Sequence, residues 1–464
     1  MFSSEVTEVM SNTEVMSNTE VTEVMSNTEV TEVMSNTEVT EVKTSLLDIL
    51  ESYPDILPLI FSTYMFLLSK TSKKVRNIIK KANIKLSIKS NYGYNGEGLL
   101  DKLNNLDTWC NVTSLHLEDC KLDDNGAEVV AKILCKNTLC KLELEESDIK
   151  ETGGLEIAKA LVNNKMLKEL YIYQANMEVK LINAFANALT NNSTLHTLAI
   201  FCHTKDQDKQ IIANTFLDNS TLKKLEIGID SLGDINAFAN ALGKNSTLAT
   251  LNISHNKLNV KEIETIADGL YKNSTLTKLN ISNNSLKDIG TQAIAKALLN
   301  NSTLRKLNIC NNSLKDTGTQ AITKALLNNS TLRKLDLSSN YIRDDGSRAI
   351  ANILCKNTTL KKLNLRDNDL EDDNVKIIVN ALRVNTTLEI IDLSANSLCY
   401  LCTKAIGNAL YINTTLKTLK IGDNPLDEYE EDIIINLSKR NDRIITFNFD
   451  GNYGSIATHG CEDY

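Results

Sequence analysis

The sequence predicts an α/β fold: a curved solenoid of about 13 strand–helix repeats, its parallel sheet lining the concave side. A small helical unit and an acidic tail precede it. Three observations predict this. A pattern clearest in L-T-K-L-N-I-S-N-N-S-L (Leu276–Leu286) recurs every 28 residues, at Leu248, Leu304, Leu332, Leu360, Leu388, Leu416 and Ile444. Within each copy, apolar residues such as Leu279 and Ile281 lie two apart, the spacing of one strand face. After a turn marked by Asn284, residues Ala293, Ile294, Ala297 and Leu298 form i, i+4 pairs, the inner stripe of a helix.

The elements follow in chain order. Residues 1–43 are a low-complexity tract of E-V-T, E-V-M and S-N-T triplets, with nine Glu and no Lys or Arg before Lys43. Its valines recur in steps of three or six, which suit neither a helical stripe nor a strand face, so the tract is expected to be disordered. Residues 44–83 turn apolar and basic, with Leu46, Leu47, Ile49 and Leu50 at helical spacing and Pro54 as punctuation, and are expected to form a small helical unit. Residues 84–111 read as an irregular entry repeat: Ile84, Leu86 and Ile88 alternate as a strand, and Leu99, Leu100, Leu103 and Leu106 follow as a helix. The array spans 112–464. Its leading apolar positions are Val112, Leu139, Leu167, Leu195, Leu222 and Leu248, then every 28 residues. Residues 281–303 and 309–331 differ at only three positions (Ser282/Cys310, Ile289/Thr317, Ala295/Thr323), which points to recent duplication.

The skeleton L-x-x-L-x-L-x-x-N-x-L resembles the leucine-rich repeat, and the period resembles its ribonuclease-inhibitor type, in which one strand and one helix make each unit. Strands stack about 4.8 Å apart but packed helices need about 8–10 Å, so helices on one face force curvature. Asn284 and its counterparts at 256, 312, 340, 368, 396, 424 and 452, with Cys120 and Ser147 earlier, are expected to satisfy backbone groups of stacked turns. The recurring Asn-Ser-Thr and Asn-Thr-Thr triplets (from Asn219 to Asn413) sit at the helix exits, where Asn is expected to cap the helix.

Pro54, Ile56, Leu57, Ile60, Phe61 and Val75 carry a second resemblance, to the F-box, a helical module that docks the Skp1 adaptor of a cullin ubiquitin ligase. The segment is one residue shorter after Pro54 and about a turn shorter between Ser62 and Ser72 than the F-box pattern. A helical cap over the first repeat is the alternative reading, compatible with the first.

Composition narrows the function. Net charge is −9, yet outside residues 1–42 the chain holds 50 acidic and 50 basic residues, so nothing indicates nucleic acid. The apolar run Ile56–Leu68 is shorter than the roughly 20 residues of a membrane span. With no secretory signal visible, an intracellular location, cytoplasmic or nuclear, and reduced cysteines are expected. No phosphate-binding loop or zinc-protease motif is present, and no cofactor is expected. Cys399-x-x-Cys402 lacks a second ligand pair and reads as structural.

The expected function is therefore non-enzymatic protein binding on the concave face, by a monomer. Alternating strand positions supply the candidates: Ser114, His116, Glu118 and Asp119; Lys141, Glu143, Glu145 and Glu146; Glu169, Tyr171, Tyr173 and Gln174; Thr197, Ala199 and Phe201; and Glu226. Acid with aromatics is the composition of a contact surface. Arg305-Lys306, Arg333-Lys334 and Lys361-Lys362 form a basic ladder that reads first as a solvated strand edge with Asp neighbours; the sharper alternative is that it receives an acidic partner, the chain's own Glu-rich tract among the candidates. By resemblance, the mechanism is substrate reception for a ubiquitin ligase. The rival readings are an inhibitor or scaffold without a ligase link and, third, a GTPase-activating type of regulator.

Overall fold

Parallel strands cannot be joined by a tight turn, so each must be followed by a crossover long enough to return the chain to the same end. Leucine spacing sets where this happens. The computed structural model describes residues 83–89, 111–120, 122–204, 214–438 and 446–448. Thirteen strands from β2 onward alternate with twelve helices among them. The acidic tract, the F-box-like residues Pro54, Ile56, Leu57, Ile60, Phe61 and Val75, and the helix expected over 96–109 lie outside the described residues.

The chain divides into two compact units, Met1–Leu117 and Glu118–Tyr464. In the first, β1 (Asn83–Lys89) neighbours β2 (Asn111–Glu118). The second holds β3 (Lys141–Glu145), β4 (Glu169–Met177), β5 (Thr197–Thr204), β6 (Lys224–Gly228) and β7 (Thr250–Asn252). Then come β8 (Lys278–Asn280), β9 (Lys306–Asn308), β10 (Lys334–Asp336), β11 (Lys362–Asn364), β12 (Ile390–Asp392), β13 (Thr418–Lys420) and β14 (Thr446–Asn448). Strands β3 to β14 pair in sequence order and in parallel, so one face carries a continuous column, Leu251–Leu279–Leu307–Leu335–Leu363–Ile391–Leu419–Phe447. Leu251 to Leu419 in that column are buried. The helices run from α1 (Asp124–Cys135) to α12 (Glu428–Ser438), one between successive strands. In α7 (Lys287–Leu298) the inner stripe is Gly290, Thr291, Ile294, Ala295, Ala297 and Leu298. Ala293, expected inside, lies at its half-buried edge.

The turns depend on asparagine. Asn312 is fully buried. Its Oδ1 accepts from Asn284 N and Leu286 N of the preceding turn, at 3.2 and 3.4 Å. Its Nδ2 donates to Ile281 O and Cys310 O, both at 2.9 Å. The same pattern recurs at Asn256, Asn284, Asn340, Asn368, Asn396 and Asn424; Asn452 lies outside the described residues. The residue before each ladder Asn bends left-handed, from His255 (φ 59°) through Ala395 (φ 51°) to Asp423 (φ 56°).

A second ladder lies at the helix exits, where Asn192, Asn245, Asn273, Asn357 and Asn413 stand at the C-cap as the sequence suggests. Asn273 has φ −72° and ψ 134°, extended backbone and not the left-handed cap conformation. Asn301 Nδ2 donates to Leu270 O and Asn273 O of the preceding repeat, at 3.2 and 3.1 Å. Its Oδ1 accepts from Thr303 N and Leu304 N, at 3.1 and 2.8 Å. These asparagines bind repeat to repeat and start the next strand. Asn219, Asn273, Asn301, Asn329, Asn385 and Asn413 are buried, which hides the sequon nitrogens in the folded chain.

Two stability predictions follow from the turns. Asn312→Ala leaves buried backbone groups on both sides without partners, and loses roughly 3 kcal/mol on denaturant unfolding. Ala395→Gly removes the Cβ penalty of a left-handed residue, and gains about 1 kcal/mol in the same measurement.

Candidate functional site

With leucines turned to the helices, the alternating residues of β3 to β13 stand on the open face of the sheet. There the register brings together side chains far apart in sequence. Tyr171 pairs with Ala199, Tyr173 with Phe201, and Phe201 with Gly228 across β4, β5 and β6. The rings stack in a row: Tyr171 to Tyr173 at 6.3 Å and Tyr173 to Phe201 at 5.6 Å between centroids. All three remain half-buried, as do Glu143, Glu145, Glu169 and Glu226 around them.

Charge frames the row. Lys141 Nζ lies 4.9 Å above the Tyr171 ring and 2.8 Å from Glu143 Oε2, in cation–π and ion-pair contact together. Tyr171 donates its hydroxyl to Glu169 Oε2 at 3.1 Å. Burial, then the Glu169 carboxylate, push the phenol well above the usual tyrosine range, so it stays a neutral donor. Lys224 pairs with Glu226 at 3.2 Å. The predicted contact residues Glu143, Glu145, Tyr171, Tyr173, Phe201 and Glu226 are thus gathered on adjacent strands. On β2, Ser114 and His116 hold the alternating, half-buried positions of the first unit.

Two expected surface residues are buried. Ala199 is covered because its registered neighbours, Tyr171 and Glu226, carry far larger side chains on the same face. Gln174 is buried for a different reason. It continues the inward alternation of Leu170 and Ile172, and the register shift of β4 that is complete by Asn176 alters only the residues after it. Gln174 Oε1 accepts from Ile149 N at 2.8 Å, the work done by ladder asparagines elsewhere.

Gly228 is a site residue that sequence reasoning missed. A Cβ there would come within 2.5 Å of Phe201 Cδ1, so only glycine lets the ring lie over β6. A glycine at an alternating strand position was the available signal. The neighbouring turn holds Asp230, buried, in the ladder position. It accepts from Lys257 Nζ at 2.7 Å, His203 Nδ1 at 3.2 Å and Thr204 N at 3.3 Å. Burial pushes this carboxyl up, but the Lys257 and His203 contacts outweigh it and hold it below the usual range.

The basic ladder separates into two features. Only Lys306, Lys334 and Lys362 enter strands, where they register with one another and with Lys278. Arg305, Arg333 and Lys361 precede the strands, and Lys361 pairs with Glu389 at 2.9 Å. Lys278 escaped the sequence pattern because threonine precedes it instead of a second base. Desolvation, then Lys306 and Lys362, pull Lys334 down to about 8. Cys399 and Cys402 sit at the start of α11 (Tyr400–Ile412). Cys399 Sγ donates to Asp372 Oδ2 at 2.8 Å, and that bond pushes its thiol up. Burial does the same to Cys402. Both are held as thiols, not as nucleophilic thiolates.

The lysine column makes stability depend on pH. Between pH about 8 and the unfolded lysine value of ~10.4, unfolded chains bind a proton that folded Lys334 has released, so stability rises with pH. Melting curves of the wild type across that window are expected to climb relative to those of Lys334→Gln.

A family model described as Leucine Rich repeat matches residues 110–131, 272–295, 328–351 and 356–375. No curated protein matches the sequence. Among solved structures, the chain is similar to the actin-binding site 2 of leiomodin-1. Identity is 25% over 32% of this chain and 86% of that one, with a TM-score of 0.29. It is also similar to an internalin (InlF) from Listeria monocytogenes, at 17% identity over 77% of this chain and 94% of that one, TM-score 0.42. A third similarity is to the Rad7 and Elc1 complex in yeast, at 15% identity over 88% of this chain and 96% of that one, TM-score 0.46. Leucines at strand spacing, one helix after each strand, and a family match at four of those units together support a leucine-rich-repeat fold.

Proposed function

We propose that the chain is a recognition module without catalysis that binds a protein partner on the open face of β3 to β6. The stacked row Tyr171–Tyr173–Phe201 carries this reading. Large rigid rings give contact area at little entropic cost, and half-burial leaves their edges and faces for a partner. Glu143, Glu145, Glu169 and Glu226 around the row favour a partner that presents lysine or arginine beside an apolar side chain. Full α-helices such as α7 in 28-residue units support the ribonuclease-inhibitor type of repeat.

Two mechanistic readings share this surface. In the first, residues 54–79 dock a Skp1-like adaptor and the repeats receive the substrate of a ubiquitin ligase; the F-box resemblance of Pro54, Ile56, Leu57, Ile60, Phe61 and Val75 supports it. In the second, the repeats inhibit or scaffold their partner with no ligase attached.

The experiments separate surface from mechanism. Affinity purification with the wild type and with Tyr173→Ala/Phe201→Ala, compared by quantitative mass spectrometry, is expected to show specific partners depleted about 30-fold or more in the double variant, as for a hot spot worth about 2 kcal/mol. Equal recovery by both proteins removes the row as the contact. Purified Skp1 retained by the wild type and lost with Ile60→Asp supports the ligase reading, and no retention by the wild type rejects it.

A further inference from the structure

The first open-face position of the strands holds lysine in two settings. In β3 and β6 it is neutralised within its own strand, Lys141 by Glu143 at 2.8 Å and Lys224 by Glu226 at 3.2 Å. In β8, β9 and β11 it is not. Lys278, Lys306, Lys334 and Lys362 lie side by side in register, at the strand spacing of about 4.8 Å. The residue two positions on is Asn280, Asn308 and Asn364 in three of these strands. In β10 it is Asp336, which is fully buried; burial pushes its carboxyl up against the opposing hydrogen bonds of Ser338 and Asn364. Among the described residues no carboxylate forms an ion pair with Lys278, Lys306 or Lys362.

Packing does not require this column, since threonine or isoleucine fills the same position in β7, β12 and β13. Stacking like charges at strand spacing is unfavourable, and at Lys334 the neighbours Lys306 and Lys362 add to desolvation in lowering the ammonium. The amides extend the pattern. Asn280 Oδ1 accepts from Ser282 N and Asn308 Oδ1 from Cys310 N, each at 2.9 Å. Their acceptors are used internally, and their Nδ2 hydrogens meet no acceptor among the described residues. Ammonium and amide N–H groups together form a surface of donors, complementary to a ligand rich in acceptors.

We propose that the open face of β8 to β11 binds an extended, carboxylate-rich polypeptide segment. Lys278, Lys306, Lys334 and Lys362 pair with its Asp or Glu side chains, and Asn280 and Asn308 donate to its carboxylate or carbonyl oxygens. Polypeptide is favoured over nucleic acid because single strands need aromatic platforms for base stacking. The alternating positions of β8 to β11 supply lysine, asparagine and aspartate but no ring. This surface lies on strands other than those of the aromatic row, so the two readings stand or fall separately.

The test is fluorescence anisotropy of a labelled peptide with alternating Glu and Ser, titrated with the full chain. Saturable binding is expected, weakening about tenfold or more as NaCl is raised from low to physiological strength. The variant Lys306→Gln/Lys334→Gln/Lys362→Gln is expected to lose about tenfold or more in affinity, while the matching Lys→Arg variant keeps it, as carboxylate pairing by charge requires. Circular dichroism melts establish that each variant folds; should the triple Gln variant unfold, the single Lys334→Gln change decides, with about threefold weaker binding expected. No saturable binding by the wild type overturns the proposal, as does equal binding of a peptide with Gln in place of Glu. Tighter binding of a length-matched oligo-dT overturns it in favour of nucleic acid. The aromatic row is unaffected by any of these outcomes, and Tyr173→Ala/Phe201→Ala is expected to bind the acidic peptide as the wild type does.

Discussion

Stacked turns share a few backbone bonds, such as Asn283 N to Cys310 O at 3.1 Å, but these leave other turn groups unpaired, and the whole array depends on a remedy for that. Strands such as β8 to β13 are only three residues long and contribute little ladder bonding of their own. Backbone groups between strand and helix that these bonds miss, such as Asn284 N and Leu286 N, would be buried unpaired, at about 1–3 kcal/mol for each group. Two columns of asparagine prevent this. Those at 256 to 424 serve the turns leaving the strands, and those at 164 to 413 serve the turns entering them. A single amide both donates and accepts, so each asparagine joins its own turn to the one before it. Repeats are coupled through these bonds as much as through leucine packing.

This coupling explains where variation is found. Leucines and asparagines are committed to the interior, and the helices cover one face of the sheet. The remaining strand positions are free of both duties, so their chemistry changes along the array without cost to the frame. In β3 to β6 they carry acids, two tyrosines and a phenylalanine. In β8 to β11 they carry lysine beside amides. Both surfaces rest on the same backbone, and they differ because neighbouring strands in register add their side chains into columns.

The frame was legible in the sequence because a two-residue alternation and a 28-residue period leave one arrangement that buries the repeating strand leucines. The site was legible in part. Glu143, Glu145, Tyr171, Tyr173, Phe201 and Glu226 came from counting positions between leucines, and counting works wherever the strand is regular. Gln174 was placed outside against that count, since it follows Leu170 and Ile172 in steps of two and is buried with them. Counting failed at Ala199, because cover by cross-strand neighbours is not a property of the residue. Lys278 was missed because the eye follows paired bases in sequence, whereas the column is built across strands.

By itself the sequence determined the repeat, the element order, the turn asparagines and the residues facing away from the leucines, since each follows from periodicity along one chain. Register between strands was decided only by the tertiary structure, and register turns the alternating residues into surfaces. It stacks Tyr173 on Phe201, reserves Gly228 for the ring beside it, and aligns four lysines that sequence separates by 28 residues each. The helix-exit asparagines show the same division. Their positions are plain in the chain, but their bonds to the preceding repeat depend on a neighbour that one repeat alone does not contain.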